Sequence, residues 1–153
     1  MRKRSFIACL LLLSAASVVF ATDFAVVVNP ANPVRQMSLA ELTKIFKAKT
    51  PSWPGGKSIT LVLREPASPA TKLMIEKVLG ATFDDGKNTL SDPARKTTVP
   101  VVFAQSDEEI LSIVEGNPGA IGVIDVYNIT SGVKVVKIDE KQPFDPGYAL
   151  KGR

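Results

Sequence analysis

The chain has 153 residues, of which 45% are hydrophobic and 22% are charged, which is typical of one compact domain and excludes a wholly disordered chain. It contains no histidine, and Cys9 is its single cysteine. These two facts exclude histidine-dependent catalysis, histidine-ligated metal sites, cysteine clusters and an internal disulfide. We therefore expect a protein that is not an enzyme and that holds no metal or cofactor.

The N-terminal segment has the form of a secretory signal peptide. Basic residues at positions 2–4 precede an apolar run over residues 6–20, and a cleavage site follows before Thr22. The pattern predicts a signal peptide at residues 1–21, export to the periplasm and a mature chain of residues 22–153.

A membrane anchor and a lipoprotein site are the two alternatives to a signal peptide. A membrane anchor requires about 18 uninterrupted apolar residues, whereas Ser14 and Ser17 interrupt this run. A lipoprotein site at Cys9 would leave almost no hydrophobic stretch before it. We therefore expect no membrane insertion after the signal is cleaved.

The mature chain is nearly neutral. The whole chain carries a formal net charge of +4, and positions 2–4 supply three of its basic groups, so residues 22–153 carry +1. Binding to nucleic acid or to an anionic membrane requires a clustered basic face, but the remaining lysines and arginines are scattered among acids. We expect neither partner.

The first predicted elements are a strand, a helix and a second strand. The continuous apolar run at residues 24–28 predicts a strand that is covered on both faces. An S-x-x-E capping box at residues 38–41 predicts a helix over about residues 39–47. After a turn around Trp53, which we expect to cover the junction of helix and strand, residues 59–63 form the second strand.

The middle of the chain contains a helix, a polar segment and an edge strand. Ser68 and Pro69 suit the start of a helix, and Gly80 suits its end. Residues 81–98 are polar and rich in turn formers, so we interpret them as a mobile excursion with at most one weak helical turn. Residues 99–103 form a short strand at an edge of the sheet, because Pro100 lacks the N–H group of an interior strand.

The last third predicts a helix and two strands. A second capping box at residues 106–109 begins a helix, and residues 116–119 end it. Residues 120–126 and 133–138 complete the fold as strands. The order β-α-β-α-(loop)-β-α-β-β predicts an α/β domain of three layers, in which helices cover both faces of a mixed sheet.

Segment 64–71 is the best candidate for a functional site. Ligands of open α/β sheets collect beyond the carboxyl ends of the strands. Arg64 stands at a strand end, and Ser68 and Thr71 stand at the following helix start, where free N–H groups favour an anion. Arginine can hold a tetrahedral oxyanion through paired hydrogen bonds. A purely structural alternative stays open, in which Ser68 only caps the helix and Arg64 pairs with Glu65 or another acid.

Other polar residues receive structural interpretations. The acidic residues 107–109 lie in the first turn of a helix, where carboxylates complement the helix dipole. The tripeptide N-I-T at residues 128–130 has the form of a glycosylation sequon, to which we assign no function. Asp84 and Asp85 do not provide the six or so oxygen ligands that calcium requires.

A set of ordered motifs covers most of the mature chain. They are L-x-x-L-x-x-I-F at residues 39–46, W-P-G-G at 53–56, the strand and turn from 59 to 68, P-G-A-I-G at 118–122, and the C-terminal segments 138–143 and 147–150. In this order they resemble the phosphate-binding periplasmic proteins of ABC transporters. The resemblance implies a fold like one lobe of a type II periplasmic binding protein. It also implies non-catalytic binding of phosphate or a similar oxyanion.

The resemblance also assigns site residues. In that family two lobes close over phosphate, and one lobe supplies an Arg followed by a Ser-Gly-Thr turn at a helix start. Arg64 takes the place of the Arg, Ser68 that of the Ser, and Thr71 that of a second hydroxyl after the turn. Pro69 replaces the Gly and Ala70 replaces the Thr, so two contacts are missing. Each is worth roughly 1.5–3 kcal/mol, which weakens binding by about two to four powers of ten.

The length of the chain leaves the arrangement of the site open. Members of that family are about twice as long, so one lobe and its share of the pocket are expected to be absent. Two copies could face each other as a homodimer, or a periplasmic protein partner could complete the site. In the alternative, the chain is a periplasmic interaction or scaffold protein that keeps the fold but has lost high-affinity ligand binding.

Overall fold

One mixed sheet forms the centre of the molecule. The computed structural model describes residues 22–152, and the predicted signal peptide at residues 1–21 lies outside them. The strands are β1 (Phe24–Val28), β2 (Gln36–Met37), β3 (Thr60–Arg64), β4 (Val101–Ala104), β5 (Ala120–Asp125) and β6 (Lys134–Ile138). They lie side by side in the order β2-β6-β1-β5-β3-β4.

Strand β1 is the buried centre of this sheet. It runs antiparallel to both β5 and β6, so that Val26 lies opposite Val123 on one side and Val136 on the other. Strand β3 runs parallel to β4 and β5. All five residues of β1 are buried, because side chains that alternate between the two faces enter a core on each side. The predicted strand, covered on both faces, is confirmed.

Helices cover the sheet on both faces. They are α1 (Leu39–Phe46), α2 (Pro69–Met74), which continues into a π-helical segment (Ile75–Leu79), α3 (Phe83–Leu90) and α4 (Asp107–Gly116). The first three and the π-helical segment supply the apolar core on one face, and α4 supplies the core on the other. The predicted α/β fold with three layers is therefore confirmed.

Helix caps follow the sequence signals with one difference. Ser38 and Glu41 form the predicted capping box, with Ser38 N donating to Glu41 Oε2 at 2.7 Å and Glu41 N donating to Ser38 Oγ at 3.1 Å. At α4, Ser106 accepts from the backbone N–H of Glu109, but the Glu109 carboxylate accepts from Gln105 N at 2.8 Å instead of from the cap residue. The second box is therefore displaced by one residue.

The helix begun by Ser68 ends as predicted at Gly80. Gly80 has φ +59°, in the left-handed region that glycine adopts most readily.

Helix α4 approaches the sheet closely at another glycine. A Cβ atom on Gly122 of β5 would lie 2.6 Å from the Ile110 side chain, so only glycine allows this contact.

The prediction for residues 81–98 is wrong. They form α3 and a 3₁₀-helix (Pro93–Thr97), with the Thr82 hydroxyl capping α3 by accepting from Asp85 N at 3.2 Å. Gly86 packs against Ile75 so closely that a Cβ would lie 2.3 Å from Ile75 Cγ2, and Leu90 is buried. Gly86 and Leu90 thus attach a mostly polar helix to the core, and its few apolar residues among turn formers give a weak helix signal in the sequence.

The remaining differences are small. Strand β2 was not predicted, because two residues carry no pattern, and it pairs with β6 at the edge of the sheet. The strand predicted at 99–103 lies at an edge as expected, with observed bounds Val101–Ala104.

Trp53 is buried, and its Nε1–H donates to Gly119 O at 3.0 Å, which ties the turn to the loop before β5. Within residues 22–152 no helix is both long and apolar enough to span a membrane.

A buried arginine joins the 3₁₀-helix to the end of α1. Arg95 donates from Nε to Val99 O at 3.1 Å and from its terminal nitrogens to Ile45 O and Phe46 O. The last two oxygens belong to the C-terminal turn of α1, where a helix leaves carbonyl groups without partners inside the helix and favours a positive charge. Arg95 thus stabilises both segments.

Replacing this arginine tests that role. Arg95→Met keeps the apolar stem and removes the donors, so we expect the free energy of unfolding to fall by about 2–3 kcal/mol, measured by urea denaturation. Arg35→Met is the matched control, because Arg35 is exposed, and it should change stability by no more than about 0.5 kcal/mol. Equal effects of the two substitutions would contradict the assigned role.

Candidate functional site

A cavity of ≈ 530 Å³ opens at the carboxyl end of β3. Arg64 and Ser68 line it from the β3–α2 connection, and Asp107 lines it from the start of α4. The segments at the two ends of the described chain form another wall, where Gly152 N donates to Thr22 O at 2.8 Å. The cavity lies beyond the strand end at which an open α/β sheet collects ligands.

The Arg64 guanidinium lies in an acidic environment. It donates from Nε to Glu65 Oε2 at 3.3 Å and from NH2 to Glu65 Oε1 at 3.1 Å. Its other terminal nitrogen lies 3.6 Å from Asp107 Oδ1. A guanidinium has five N–H donors, and Glu65 accepts one hydrogen bond from Nε and one from NH2, so this pair of donors is occupied in the structure.

These contacts keep the pair ionised. The hydrogen bond to Glu65 is the main factor that raises the pKa of Arg64, and the Asp107 charge adds to the effect, while burial opposes it. The same hydrogen bond is the main factor that lowers the pKa of the Glu65 carboxyl. Because the carboxyl pKa is lowered, the pair is present at neutral pH and is lost only as the pH falls through that lowered value.

The two predicted hydroxyl groups form an internal chain of hydrogen bonds. Ser68 caps α2 by accepting from Thr71 N at 3.3 Å, and its own hydroxyl donates to Thr71 Oγ1 at 3.2 Å. The Thr71 hydroxyl donates in turn to Arg64 O at 2.7 Å. Ser68 lines the cavity while only 6% exposed, and Thr71 is 1% exposed. In this structure Thr71 therefore fixes the backbone that carries Arg64.

Asp107 is the residue of this site that the sequence did not reveal. It is the first residue of α4 and is 8% exposed. Its Oδ2 accepts from Asp125 N at 3.0 Å and from Asn128 Nδ2 at 2.8 Å. The side chain therefore ties α4 to the end of β5, in addition to its pairing with Arg64. Along the sequence it is indistinguishable from its acidic neighbours, because burial alone sets it apart.

The lining of the cavity carries charges of both signs, with acids in excess. The cationic members are Arg64 and Lys72, and the acidic members are Glu76, Asp107 and Asp125. Glu65 adds a further carboxylate against Arg64 from outside the lining. An anion in this cavity would be attracted by the arginine and repelled by several carboxylates.

An exposed aromatic pair adjoins this cavity. The Tyr127 and Phe144 side chains are 76% and 57% exposed, and their ring centroids lie 5.9 Å apart. Tyr127 stands in the 3₁₀ turn (Val126–Asn128) that follows Asp125, and both Asp125 and Asn128 line the cavity. Phe144 adopts φ +72°, and its N–H donates to the buried Asp23 carboxylate at 2.7 Å.

The fold and the cavity together define one lobe of a ligand-binding fold. The PBP superfamily domain matches residues 15–150 of the chain. The chain belongs to this family, as the ordered motifs implied. Among curated proteins, none matches the chain significantly.

Solved structures agree with this assignment. An ABC-type phosphate transport receptor from Vibrio cholerae is 25% identical, with a TM-score of 0.69 over 86% of this chain and 54% of its own. A putative phosphate ABC transporter substrate-binding protein with bound phosphate from Clostridium perfringens is 24% identical, with a TM-score of 0.69 over 86% and 53%. PstS from Borrelia burgdorferi, at 16% identity and a TM-score of 0.69 over 87% and 55%, shares the fold.

The chain spans about half the length of these solved relatives. The six-stranded sheet and its helices thus match one lobe of a larger architecture. The cavity beside Arg64 is built from residues of this lobe alone.

Proposed function

We propose that the chain is an exported, non-catalytic binding protein for phosphate or a similar oxyanion, and that it works with an ABC transporter in the periplasm. Membership of the PBP superfamily supports a binding role. The names of the Vibrio cholerae and Clostridium perfringens relatives support phosphate as the ligand and transport as the context. The predicted signal peptide supports export.

The observation that carries this proposal is the position of Arg64. Its guanidinium lines the cavity at the end of β3, beside the start of α2. Its backbone carbonyl is fixed by the Thr71 hydroxyl, and Asp107 lies on one side of its head group. An arginine held from both ends loses little conformational freedom when it takes up an anion.

Binding requires an exchange of partners at this arginine. Glu65 is exposed and can swing away, so the oxyanion takes the place of its carboxylate on Nε and NH2. The Ser68 hydroxyl lines the cavity and can turn from Thr71 towards the anion at the cost of one internal hydrogen bond. Thr71 keeps its bond to the Arg64 carbonyl and acts as a positioning residue.

The affinity of one copy for inorganic phosphate is expected to be modest. Pro69 has no N–H group, Ala70 has no hydroxyl, and the cavity has acidic residues in its lining. In a site exposed to water, screening reduces the attraction of the remaining charge. A Kd in the millimolar range corresponds to about −4 kcal/mol, which a small number of charge-assisted bonds can supply.

Calorimetric titration tests the proposal. We expect the mature chain to bind inorganic phosphate or sulfate with saturable heat at millimolar concentrations, and Arg64→Ala to abolish that heat because it removes the paired donors. Arg35→Ala removes an arginine from an exposed position outside the cavity and should leave the titration unchanged.

Two results of that titration would contradict the proposal. One is the absence of heat from either anion in the folded wild-type chain. The other is equal loss of binding in both arginine variants, which would indicate a general charge effect. Thermal unfolding of each variant, followed by circular dichroism, shows whether the fold is intact.

A second candidate function is a periplasmic interaction protein that has lost high-affinity binding. The exposed pair of Tyr127 and Phe144 favours it, because aromatic side chains that lie together in water are typical of contact sites. The turn that carries Tyr127 also contributes Asn128 to the cavity lining, so a partner seated on the pair would lie next to the cavity. Since the chain spans about half the length of its relatives, we take a second copy as the partner to test.

Light scattering at increasing protein concentration tests this candidate. A dimer should form in the wild-type chain and weaken at least tenfold in a Tyr127→Ser, Phe144→Ser double variant, because the apolar contact area is lost. Phe83→Ser, at an exposed aromatic residue of α3, is the control and should leave the dimer intact. A monomer at all concentrations would contradict the homodimer.

A further inference from the structure

The charged residues of the cavity suit a ligand that carries both a negative and a positive group better than they suit a simple oxyanion. The cavity lining contains Arg64 as an anchor for an anion, Asp107 in contact with that arginine, and Asp125, which is hydrogen-bonded to Asp107 through its backbone N–H. Once Glu65 leaves the arginine, an inorganic dianion would face these carboxylates with no cation of its own. A ligand that also carries an ammonium group would compensate them.

Asp125 is the carboxylate best placed to receive that ammonium group. Its Oδ1 accepts from Tyr127 N at 2.9 Å, and its Oδ2 accepts no hydrogen bond within residues 22–152. The residue is half-buried and lines the cavity. By contrast, Oδ2 of Asp107 already accepts from Asp125 N and Asn128 Nδ2, and its Oδ1 faces Arg64.

Asp107 links Arg64, the group for the oxyanion, to Asp125, the group for the ammonium ion. Arg64 NH1 lies 3.6 Å from Asp107 Oδ1, and Asp107 Oδ2 accepts from the backbone N–H of Asp125 at 3.0 Å. Asp107 thus forms a rigid link between the cationic and the anionic end. A ligand held by both Arg64 and Asp125 would therefore reach past the Asp107 carboxylate.

The size of the cavity agrees with such a ligand. At ≈ 530 Å³ it falls in the range of roughly 300–1,000 Å³ that is usual for organic small molecules. An inorganic oxyanion would leave most of this volume to water, which weakens each charge interaction.

We propose that the ligand of this cavity is a small zwitterion, with its phosphate or other oxyanion on Arg64 and its ammonium group on Asp125. This inference rests on the proposed function, because it uses the same arginine as the anion anchor. It adds the chemical class of the ligand and a second, acidic contact.

A pair of matched probes tests the inference. Phosphoethanolamine and ethyl phosphate share the phosphate ester and differ in the ammonium group. We expect calorimetry at neutral pH to show phosphoethanolamine binding roughly tenfold more tightly, the factor expected from one additional charge-assisted hydrogen bond. Ethanolamine alone should bind much more weakly than phosphoethanolamine.

Two variants test whether Asp125 causes the difference in affinity between phosphoethanolamine and ethyl phosphate. Asp125→Asn preserves the acceptor for Tyr127 N and removes the charge, so the ratio of the two affinities should fall to about one. Glu108→Gln removes a charge from an exposed neighbour of the site and should keep the wild-type ratio.

The outcomes separate the inference from the proposed function. Equal affinities of the wild-type chain for the two phosphate esters, both lost in Arg64→Ala, would overturn the zwitterion and leave the oxyanion function standing. Ethanolamine binding as tightly as phosphoethanolamine, with both affinities unchanged in Arg64→Ala, would overturn both. The absence of binding by every probe, in a folded chain, would overturn both as well.

Discussion

The buried carboxylate of Asp107 is the constraint on which the site depends. A carboxylate with little access to water is stable only when hydrogen bonds and opposite charge replace its hydration. Asp107 obtains them from the Asp125 backbone, the Asn128 side chain and Arg64. Because these groups belong to the ends of β5 and β3, satisfying one carboxylate draws both strand ends and α4 around the same cavity. The Thr71 bond to the Arg64 carbonyl then fixes the arginine from the other side.

The parts of the fold that local patterns determine could be predicted from the sequence. The buried β1 run, the capping box of α1, and the helix between Ser68 and Gly80 are encoded within a few neighbouring residues. Hydrophobic periodicity and cap residues are signals of this kind. The position of Arg64 at a strand end, next to a helix start, followed from the same elements.

The parts that depend on tertiary contact could not be predicted in this way. Helix α3 is mostly polar, and its attachment rests on Gly86 against Ile75 and on buried Leu90. Asp107 resembles any acidic residue in a first helical turn until the fold buries it. The sequence marks Ser68 and Thr71 as candidate ligand donors, but the acceptor of each hydroxyl is set by the folded backbone and its neighbours: Ser68 donates to Thr71 Oγ1, and Thr71 donates to the Arg64 carbonyl.

This member of the PBP superfamily thus brings an arginine, a helix start and a cavity together within a single lobe. The account depends on an anion replacing Glu65 as the partner of Arg64. The NMR resonance of the Arg64 Nε–H group, followed during titration with inorganic phosphate and assigned by its loss in Arg64→Lys, tests this exchange most directly. The account predicts a saturable shift of that resonance. A resonance that stays unchanged up to high millimolar phosphate, with Glu65 still its partner, would contradict it.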